Sequence, residues 1–317
     1  MRPAQKILIT GSRGYIGTHL RCFLRNKNIE FVEADISAKD AVDLRYMEEL
    51  RQVFGKNEIS HVVHLAASII VSEGESDPIG YLQNNVTSTL NLLDIMREFG
   101  CKNIVFASSA AVYNPCSDQS DIGLTEESPA TDPKSTYGLS KLICEKMIER
   151  SGVNYICLRF FNVAGTNREL NIMDPNPHLL PELARRIASG KNIKIYGDDY
   201  PTRDGTCIRD YVHVDDICQG IFLSLGALCA DQDKRVAKIY NLGSNSGYSV
   251  KEVIDDMLRI YEEISNDGQP QTVTTCERRA GDPATLIASS DLVRRELGWS
   301  PEHDMGSIIS SLAFFFR

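Results

Sequence analysis

The sequence predicts an α/β fold, in which a doubly wound parallel sheet carries a smaller mixed α/β lobe. Short apolar segments alternate with helical patterns through the first half of the chain, as in parallel βαβ units. After about Val163 the pattern changes, because prolines and glycines cluster between Asp174 and Gly205 and the apolar segments become shorter. We therefore expect ligands to bind beyond the carboxyl ends of the strands, in a cleft that the second lobe covers.

The elements of the sheet follow in order along the chain. We predict strands over residues 6–10, 30–34, 61–65, 103–107 and 155–160, and a strand over 238–242 that returns to the same sheet. We predict helices from the first glycine turn to about residue 25 and over residues 46–54, 83–99 and 137–151. In the helix over 83–99, four apolar residues recur at helical spacing and predict one buried face: Val86, Leu90, Leu93 and Met96.

A glycine-rich turn follows the first predicted strand. Gly11, Gly14 and Gly17 have the G-x-x-G-x-x-G spacing, and Tyr15 and Ile16 lie between the last two. Glycines allow a tight turn and a close approach of the backbone to a pyrophosphate, and the helix N-terminus supplies unpaired N–H groups. Because a strand precedes the motif and a helix follows it, the sequence predicts a Rossmann-like dinucleotide site.

An acidic residue at the end of the second predicted strand indicates which dinucleotide is bound. Asp35 can accept hydrogen bonds from the adenosine ribose hydroxyls, and its charge would repel a 2′-phosphate. Arg13, in the glycine turn, favours the opposite choice. We expect Asp35 to lie directly at the ribose, and we therefore predict NAD rather than NADP.

Further cofactor contacts are expected at the ends of the next elements. Asp43 resembles an acid on a third strand that reaches the adenine, and Asn85 is expected to open the following helix. Small and apolar residues end the strand over 61–65, where a dinucleotide can lie close to the backbone: Leu65, Ala66 and Ala67. Each of these residues is also compatible with ordinary packing or helix capping.

Tyr137 and Lys141 form a Y-x-x-x-K pair on one face of a predicted helix. An ammonium beside a phenol lowers the tyrosine pKa from about 10 toward neutrality, so that the tyrosine can remove a proton from a sugar hydroxyl. Ser108 and Ser109 follow the strand over 103–107 and belong at its carboxyl end. A serine hydroxyl there can bridge a substrate oxygen and Tyr137.

Charge and composition exclude several function classes. The formal net charge is −9 and no run of Lys and Arg is present, which argues against binding to nucleic acid or an anionic membrane. The apolar stretch at about 221–230 is far shorter than the roughly 20 residues of a spanning helix. Nine cysteines occur without metal-ligand spacing, which predicts reduced thiols in a cytoplasmic protein and no metal site.

Eight motifs together resemble the extended short-chain dehydrogenase/reductases, and the later ones narrow the resemblance to the UDP-glucose 4-epimerase family. In chain order they are G-S-R-G-Y-I-G (11–17), S-S-A-A-V-Y (108–113), Y-G-L-S-K (137–141), L-R-F-F-N-V-A-G (158–165), I-Y-G-D-D-Y-P-T (195–202), D-G-T-C-I-R-D-Y-V-H-V (204–214), Y-N-L-G (240–243) and R-R-A-G-D-P (278–283). The resemblance extends over nearly the whole chain.

The resemblance implies a reaction in which UDP-glucose and UDP-galactose are interconverted. Tyr137 takes the proton of the 4-hydroxyl while C4 gives a hydride to NAD, the 4-keto sugar turns, and the hydride returns to the opposite face. The resemblance also implies that Ser109 relays or orients the proton and that Lys141 holds the ribose and tunes Tyr137. Ser108 and Phe160 are included among the expected cofactor contacts.

The resemblance also implies the residues that hold the UDP-sugar. Asn162 and Arg209 match diphosphate contacts, and a planar guanidinium suits a diphosphate through forked hydrogen bonds. An ion pair between Arg209 and Asp210 is the structural alternative. The other expected contacts are Arg279 and Asp282 at phosphate and ribose, Ile195 and Tyr196 at uracil, His178 and Leu179 near the diphosphate, and Leu286 at the sugar pocket.

The chain departs from the family pattern at a few positions. The segment between Asp35 and Asp43 is short, Ser12 and Arg13 replace smaller residues, and Ile69 and Asn114 replace a lysine and a glycine that other members have; these changes bear on NAD retention. Leu286 stands where members carry either a bulky tyrosine or a smaller residue. We therefore hypothesise that N-acetylated UDP-sugars are tolerated.

Other functions of the same fold remain as alternatives. Sugar-nucleotide 4,6-dehydratases need an acid–base pair beside the strand-end hydroxyl, and UDP-glucuronate decarboxylases usually have a Glu there, but this chain has Ala110 and Ala111. Epimerisation of UDP-glucuronate stays open. A dinucleotide-sensing protein without catalysis would be expected to lack Tyr137 or Lys141, and both are present.

The domain organisation and assembly are likewise expected from the pattern. Residues 1–165, with a returning segment at about 211–245, are expected to form the NAD-binding domain, and residues 166–317 mainly the UDP-sugar-binding domain. The resemblance suggests a homodimer that pairs the helices around 83–99 and 138–150.

Overall fold

A central sheet of six parallel strands confirms the predicted α/β class. Its strands are β1 (Lys6–Thr10), β2 (Phe31–Ala34), β3 (Ile59–His64), β4 (Asn103–Ser109), β5 (Asn154–Phe160) and β9 (Ala237–Leu242). They are ordered β2-β1-β3-β4-β5-β9, so β9 does return to the sheet from later in the chain. The structure, a computed structural model, describes residues 6–114, 123–230, 235–264, 271–279 and 282–316.

Helices cover both faces of this sheet because its strands are apolar on both sides. Ile7 and Ile9 of β1 pack in one core and Leu8 packs in the other, as strand alternation requires. The helices are α1 (Tyr15–Asn26), α2 (Met47–Lys56), α3 (Val71–Ser76), α4 (Pro78–Leu82), α5 (Ser88–Glu98), α6 (Thr136–Arg150), α7 (Leu179–Ala188), α8 (Val214–Ala230), α9 (Val250–Ile264), α10 (Asp291–Leu297) and α11 (Met305–Leu312). Residues of α1, α8 and α10 join the first core, and residues of α2, α5 and α6 join the second.

A smaller lobe with its own core follows β5. Its strands are β6 (Asn162–Ala164), β7 (Ile193–Tyr196), β8 (Ile208–His213), β10 (Gly247–Ser249), β11 (Val273–Cys276) and β12 (Thr285–Leu286). β8 is flanked by β10 and β12 and also pairs with β6, whereas β7 pairs only with β11 among the described strands. Apolar residues of α7, α9 and α11 pack together beneath these strands.

The chain order reverses at β1, which lies between β2 and β3. In open sheets of this kind the loops that follow the two neighbouring strands diverge, and a crevice opens at their carboxyl ends. The glycine turn follows β1 and therefore lies at this crevice. The fold thus places the predicted dinucleotide motif where a ligand can enter.

The predicted strand at Asp43 is absent, and that prediction was wrong. The segment between β2 and α2 is a compact loop, closed by hydrogen bonds from the N–H of Val42 to the carbonyl of Asp35 at 3.0 Å and from the N–H of Tyr46 to the carbonyl of Asp43 at 2.9 Å. A strand would need its backbone groups for a neighbouring strand, and this short loop has already used them on itself.

The predicted helix over 83–99 is present, but its buried face was predicted wrongly at Leu90. The first turn, Gln83–Thr87, is a π-helix, and α5 continues directly from it. A π turn takes up an extra residue and rotates the face that follows. Within α5 itself, Leu90 lies about 120° around the helix from Met96 and is 49% exposed, whereas Leu92, Ile95 and Met96 are completely buried.

The eight cysteines in the described residues are free thiols, and Cys116 lies outside that part of the chain. Among the described helices, none has the length and apolar character needed to cross a membrane.

Candidate active site

A cavity of about 1760 Å³ lies between the carboxyl ends of the central strands and the smaller lobe. The glycine turn lines one end, Tyr137 and Ser109 line the middle, and Arg209 lines the other end. One continuous space therefore joins the three groups of residues that the sequence assigns to cofactor, catalysis and substrate.

The glycine turn is packed so closely that side chains cannot be accommodated at two of its positions. Gly11 has φ +67°, and a Cβ there would lie 2.7 Å from the backbone nitrogen of Ala66. A Cβ at Gly17 would lie 2.2 Å from the carbonyl oxygen of Gly11. At Gly14, which precedes α1, a Cβ would come no closer than 3.4 Å to the protein, so this position leaves open space at the cavity. The backbone thus forms a cradle that fits a pyrophosphate at a helix N-terminus.

Asp35 lines the cavity and also holds the glycine turn in place. One carboxylate oxygen accepts a hydrogen bond from the backbone N–H of Arg13 at 2.8 Å, and the other accepts from the N–H and hydroxyl of Ser37 at 2.8 and 2.6 Å. The Arg13 guanidinium is directed at Glu33, with Nε 3.5 Å from its carboxylate. Arg13, the residue that favoured NADP in the sequence analysis, is therefore paired with Glu33.

Asp43 and Asn85 lie elsewhere than the sequence predicted. Asp43 lines the cavity from a loop and pairs with Arg45 at 2.6 Å, which lowers the pKa of the Asp43 carboxyl. Asn85 does not open a helix but lies buried inside the π turn. Its side chain accepts from the N–H of Ser68 at 2.7 Å and donates to the Ser68 carbonyl at 3.0 Å and to the Ser140 hydroxyl at 2.9 Å. Asn85 thus fixes the loop after β3, where Leu65, Ala66 and Ala67 line the cavity.

Tyr137 and Lys141 both line the cavity from the first turns of α6. The helix begins there because the Ser135 side chain caps it, accepting from the N–H of Gly138 at 3.0 Å. The Lys141 ammonium lies 5.9 Å from the centre of the Tyr137 ring and donates to the carbonyl of Ala107 at 2.8 Å. Both side chains are therefore placed on the same helix face, as the i, i+4 spacing predicted.

The pKa of Tyr137 differs from the sequence-based expectation. Burial raises it, and a hydrogen bond with Ser109 only partly opposes that effect. Burial also lowers the pKa of Lys141 to about 8. The protein alone therefore does not lower the tyrosine pKa toward neutrality, because desolvation of the phenolate outweighs the hydrogen bond with Ser109.

Ser108 and Ser109 are the last two residues of β4, and they point in opposite directions, as successive strand residues must. Ser109 meets Tyr137 at the cavity, and its hydroxyl oxygen also accepts from the N–H of Ala111 at 3.1 Å. The Ser108 hydroxyl is buried and donates to Glu145 at 2.5 Å, so only the remainder of Ser108 reaches the cavity. The serine hydroxyl that meets Tyr137 is therefore that of Ser109, the residue expected to relay or orient the proton.

Arg209 lies at the opposite end of the cavity, with 11% of its side chain exposed. Its Nη1 donates to the carbonyl of Ile208 at 2.9 Å, and its Nη2 is 3.5 Å from the carboxylate of Asp282. The alternative ion pair with Asp210 is not formed. Asp210 instead accepts hydrogen bonds from the backbone N–H groups of Ser244 and Ala288 at 2.6 and 3.0 Å.

β7 presents one aromatic side chain to the cavity. The Tyr196 ring is 37% exposed, and the Arg279 guanidinium stacks on it at 4.2 Å from the ring centre. Ile195, predicted together with Tyr196, is buried in the core of the smaller lobe and does not line the cavity. Ala280 and Gly281, which belong to the same predicted motif as Arg279, lie outside the described residues.

The other predicted substrate residues also line the cavity: Asn162, His178, Leu179, Asp282 and Leu286. His178 precedes α7, and its Nε2 is 3.7 Å from the carboxylate of Asp174. Phe160, Tyr15 and Ile16 line the cofactor end. Nearly all of the predicted set is thus brought to one space, and the exceptions are the side chains of Asn85, Ser108 and Ile195.

Several residues of this region were not predicted from the sequence, and Lys194 and Glu145 are two of them. Lys194 lines the cavity from the same face of β7 as Tyr196, and strand alternation from Tyr196 would have identified it. Glu145 lies one turn after Lys141 on α6, and helical spacing from Lys141 would have placed it beside the site.

Known proteins resemble this chain over nearly its full length. The model of the NAD dependent epimerase/dehydratase family matches residues 7–243. A UDP-glucose 4-epimerase of Halalkalibacterium halodurans is 37% identical over 94% of this chain and 91% of that protein. The crystal structure of UDP-glucose 4-epimerase from Bifidobacterium longum, in complex with NAD+ and UDP, has a TM-score of 0.85 at 32% identity and covers 98% of this chain and 97% of that one. The UDP-Glc/GlcNAc 4-epimerase from Campylobacter jejuni has a TM-score of 0.78 at 32% identity, with 98% and 99% coverage.

Proposed function

This chain belongs to the NAD dependent epimerase/dehydratase family, and from that premise we propose that it interconverts UDP-glucose and UDP-galactose, with NAD as its cofactor. One observation carries the proposal. Tyr137, Ser109 and Lys141 lie midway in a cavity that has a dinucleotide cradle at one end and a cationic substrate end at the other. A base placed between a nicotinamide and an anchored sugar is the arrangement that inversion at C4 requires.

The residues at the cofactor end fit NAD. The close contacts at Gly11 and Gly17 keep the turn free of side chains, so that a pyrophosphate can meet the backbone N–H groups at the start of α1. The carboxylate of Asp35 lies at the cavity wall, where it can accept hydrogen bonds from ribose hydroxyls. Bound there, NAD would supply the hydride acceptor for C4 of the sugar and, once reduced, the hydride donor.

Tyr137 acts as the general base on the 4-hydroxyl, and Ser109 orients the proton between them. The pKa of Tyr137 is raised by burial, so a positive charge must be near the phenol oxygen when the proton moves. Lys141 supplies part of that charge, and the positively charged nicotinamide ring of bound NAD would supply more. We therefore expect Tyr137 to become an effective base only when both NAD and the UDP-sugar are bound.

The diphosphate is held by the cations at the far end of the cavity. Arg209 is already oriented by the carbonyl of Ile208 and by Asp282, which reduces the entropy lost when it binds an anion. Tyr196 offers a ring face to the uracil. With the nucleotide fixed there, the 4-keto sugar can turn over without leaving, and re-reduction then occurs on the opposite face.

Incubation of the NAD-supplemented protein with UDP-galactose tests the proposal. We expect UDP-glucose to accumulate, and the same equilibrium ratio to be reached from either sugar. A protein that binds both NAD and UDP but interconverts neither sugar would contradict the proposal. Ser310→Ala, a substitution on α11 outside the cavity, is the control. It should keep wild-type activity, so a loss in this variant would come from purification or storage.

A second substrate class is favoured by one residue. Leu286 lines the sugar end of the cavity and is smaller than a tyrosine, so space is left for an N-acetyl group. We propose that UDP-GlcNAc is also turned over, and the same assay measures it. The proposal is supported if Leu286→Tyr loses turnover of UDP-GlcNAc but keeps turnover of UDP-galactose. It is contradicted if the wild type does not turn over UDP-GlcNAc.

The residues that follow β4 favour epimerisation over 4,6-dehydration and decarboxylation. Ala110 and Ala111 follow Ser109, and neither can supply the acid–base pair of a 4,6-dehydratase or the Glu of a decarboxylase. UDP-glucuronate remains an alternative substrate for C4 inversion, and it belongs in the same activity panel. A non-catalytic dinucleotide sensor would bind NAD but turn over no sugar in that panel.

We further propose that residues 1–165 with about 211–245 act as the NAD-binding domain and that residues 166–317 mainly hold the UDP-sugar. A homodimer formed by the helices around 83–99 and 138–150 is supported by two large apolar side chains left at their surface. Leu90 is 49% exposed and Leu139 is 39% exposed. Sedimentation of the wild type and of Leu90→Lys tests this assembly, which predicts a dimer and a monomer respectively.

A further inference from the structure

One carboxylate is buried directly behind the catalytic strand and helix. Glu145, on α6, has 2% of its side chain exposed and pairs with Arg159, which has 5% exposed. Glu145 accepts hydrogen bonds from Nε and Nη2 of Arg159 at 2.9 and 2.7 Å and from the Ser108 hydroxyl at 2.5 Å. Burial of such a pair costs much of the energy that the pairing returns, so stability alone does not account for it.

The partners of Glu145 lie immediately behind the site. Ser108 on β4 and Arg159 on β5 face each other in the strand register, and the next pair is Ser109 and Phe160. Both members of that next pair line the cavity. Glu145 therefore ties the two strands together one residue before the positions that meet cofactor and substrate.

Glu145 also lies one helical turn from Lys141. The titratable groups that act on the Lys141 ammonium come from α6 and β3: Tyr137, Cys144, Glu145 and His64. Burial raises the pKa of Cys144 and of Tyr137, and it lowers the pKa of His64 to about 3, so these three groups are neutral near pH 7. Glu145 is left as the anion that opposes the effect of burial on Lys141.

We propose that Glu145 is a positioning residue of this site, which holds the end of β4 that carries Ser109 and places a buried carboxylate one helical turn from the Lys141 ammonium. Glu145 does not itself line the cavity among the described residues, so it acts through Lys141 and Ser109. The inference rests on the proposed function, because it assigns a role within the same catalytic group.

The test compares the wild type with the double variant Glu145→Gln/Arg159→Met. Both charges are removed together, because Glu145→Gln alone would leave a buried guanidinium without its partner. We expect kcat with UDP-galactose to fall about tenfold at pH 7 with KM changed less than about threefold, since the nucleotide anchors are untouched. The alkaline decline in kcat should move to lower pH, because Glu145 raises the pKa of Lys141 whereas Arg159 is not among the groups that act on it.

A purely structural role predicts a lower melting temperature with no movement of the alkaline decline, and that result would overturn the proposal. Glu145→Asp retains the negative charge, and it is the variant to measure if the double variant does not fold. In Glu145→Asp, kcat should decline at the same alkaline pH as in the wild type. If this decline moves as far as in the double variant, the proposal is also overturned. Ser108→Ala, which removes one hydrogen bond and no charge, should leave that position unmoved.

Calorimetric titration of NAD binding against pH gives a readout that needs no turnover. The pH at which NAD affinity declines should move lower in the double variant, since Lys141 is proposed to hold the cofactor ribose. A wild type that binds NAD but shows no epimerase activity would contradict the proposed function. If the wild type is active but the double variant loses kcat and NAD affinity at the same pH as the wild type, only the role of Glu145 is contradicted.

Discussion

The ammonium of Lys141 lies 5.9 Å from the centre of the Tyr137 ring, on the same face of α6, and is almost fully buried. It is held there by a 2.8 Å hydrogen bond to the carbonyl of Ala107. The two side chains are therefore placed by secondary structure rather than by a mobile loop, and their separation is fixed before any ligand binds.

Substitution of Lys141 with methionine should lower kcat strongly while the fold is kept. Methionine fills a similar volume and removes the positive charge, so the phenolate of Tyr137 loses stabilisation. We expect kcat to fall by about 100-fold or more, in the range typical of a lost acid–base contribution. Steady-state assays with UDP-galactose measure the effect, and Lys146→Met, on the exposed side of the same helix, is the control. A kcat within about threefold of the wild type would show that Lys141 does not tune the base.

The glycine turn supports a matched pair of substitutions. Gly17→Ala places a Cβ 2.2 Å from the carbonyl oxygen of Gly11, and no flexible side chain can move away to relieve the contact. We expect the free energy of unfolding to fall by about 3 kcal/mol and NAD binding to be lost. Gly14→Ala meets the protein no closer than 3.4 Å, so it should melt near the wild-type temperature and weaken only NAD binding. Equal melting temperatures for the two variants would contradict the predicted packing.

Asp35 should determine the choice between NAD and NADP. Its carboxylate lines the cavity, and the Arg13 guanidinium that would favour a 2′-phosphate is directed at Glu33. We expect calorimetry to find tighter binding of NAD than of NADP, and Asp35→Asn to reduce that preference, since the repulsive charge is gone. Tighter binding of NADP by the wild type would show that Arg13 decides the preference.

Stability should fall in mild acid because three histidines are buried in their neutral form. Burial lowers the pKa of His61 to about 4 and that of His64 and His213 to about 3. The unfolded chain takes up these protons below about pH 6.5 and the folded chain does not, so stability is lost as the pH falls. Asp210 opposes the effect, because burial raises its pKa to about 6 and the folded chain then binds one proton that the unfolded chain releases.

These three histidines and Asp210 together take up about two protons on unfolding near pH 5, which corresponds to a loss of roughly 3 kcal/mol per pH unit from these four groups, and His19, whose pKa burial also lowers, acts in the same direction. Urea unfolding at a series of pH values between 7 and 5 measures this slope. His61→Gln should make the slope shallower by about one proton. A free energy of unfolding that stays constant over this range would contradict the prediction.

Local patterns predicted most of the site because each motif belongs to one element whose geometry fixes its side chains. The turn after β1, the Y-x-x-x-K pair on α6 and Arg209 on β8 are examples, and the cavity brings all three together. The errors occurred where tertiary context decides. Desolvation of Tyr137 cannot be derived from spacing, and it reverses the direction of the pKa shift.

Errors of orientation have a similar origin. Ser108 and Ser109 are neighbours in sequence, but β4 continues through both of them, so only one hydroxyl faces the cavity. The π turn before α5 could not be derived from apolar spacing, and Leu90, which lies well around the helix from the buried Met96, faces outward. The loop at Asp43 is shorter than a strand and crossover would need, and counting its residues would have excluded the strand.

The central claim is that the Tyr137 hydroxyl removes and returns the proton of the sugar 4-hydroxyl. The most direct measurement is the rate of UDP-galactose conversion by Tyr137→Phe, with binding of NAD and UDP checked by calorimetry. Tyr81→Phe is the matched control, because that hydroxyl is also buried near Tyr137, has no hydrogen-bond partner among the described residues and does not line the cavity. We predict a fall of about 1000-fold in kcat for Tyr137→Phe with both ligands still bound, and little change for Tyr81→Phe. Near-normal turnover by Tyr137→Phe would contradict the account.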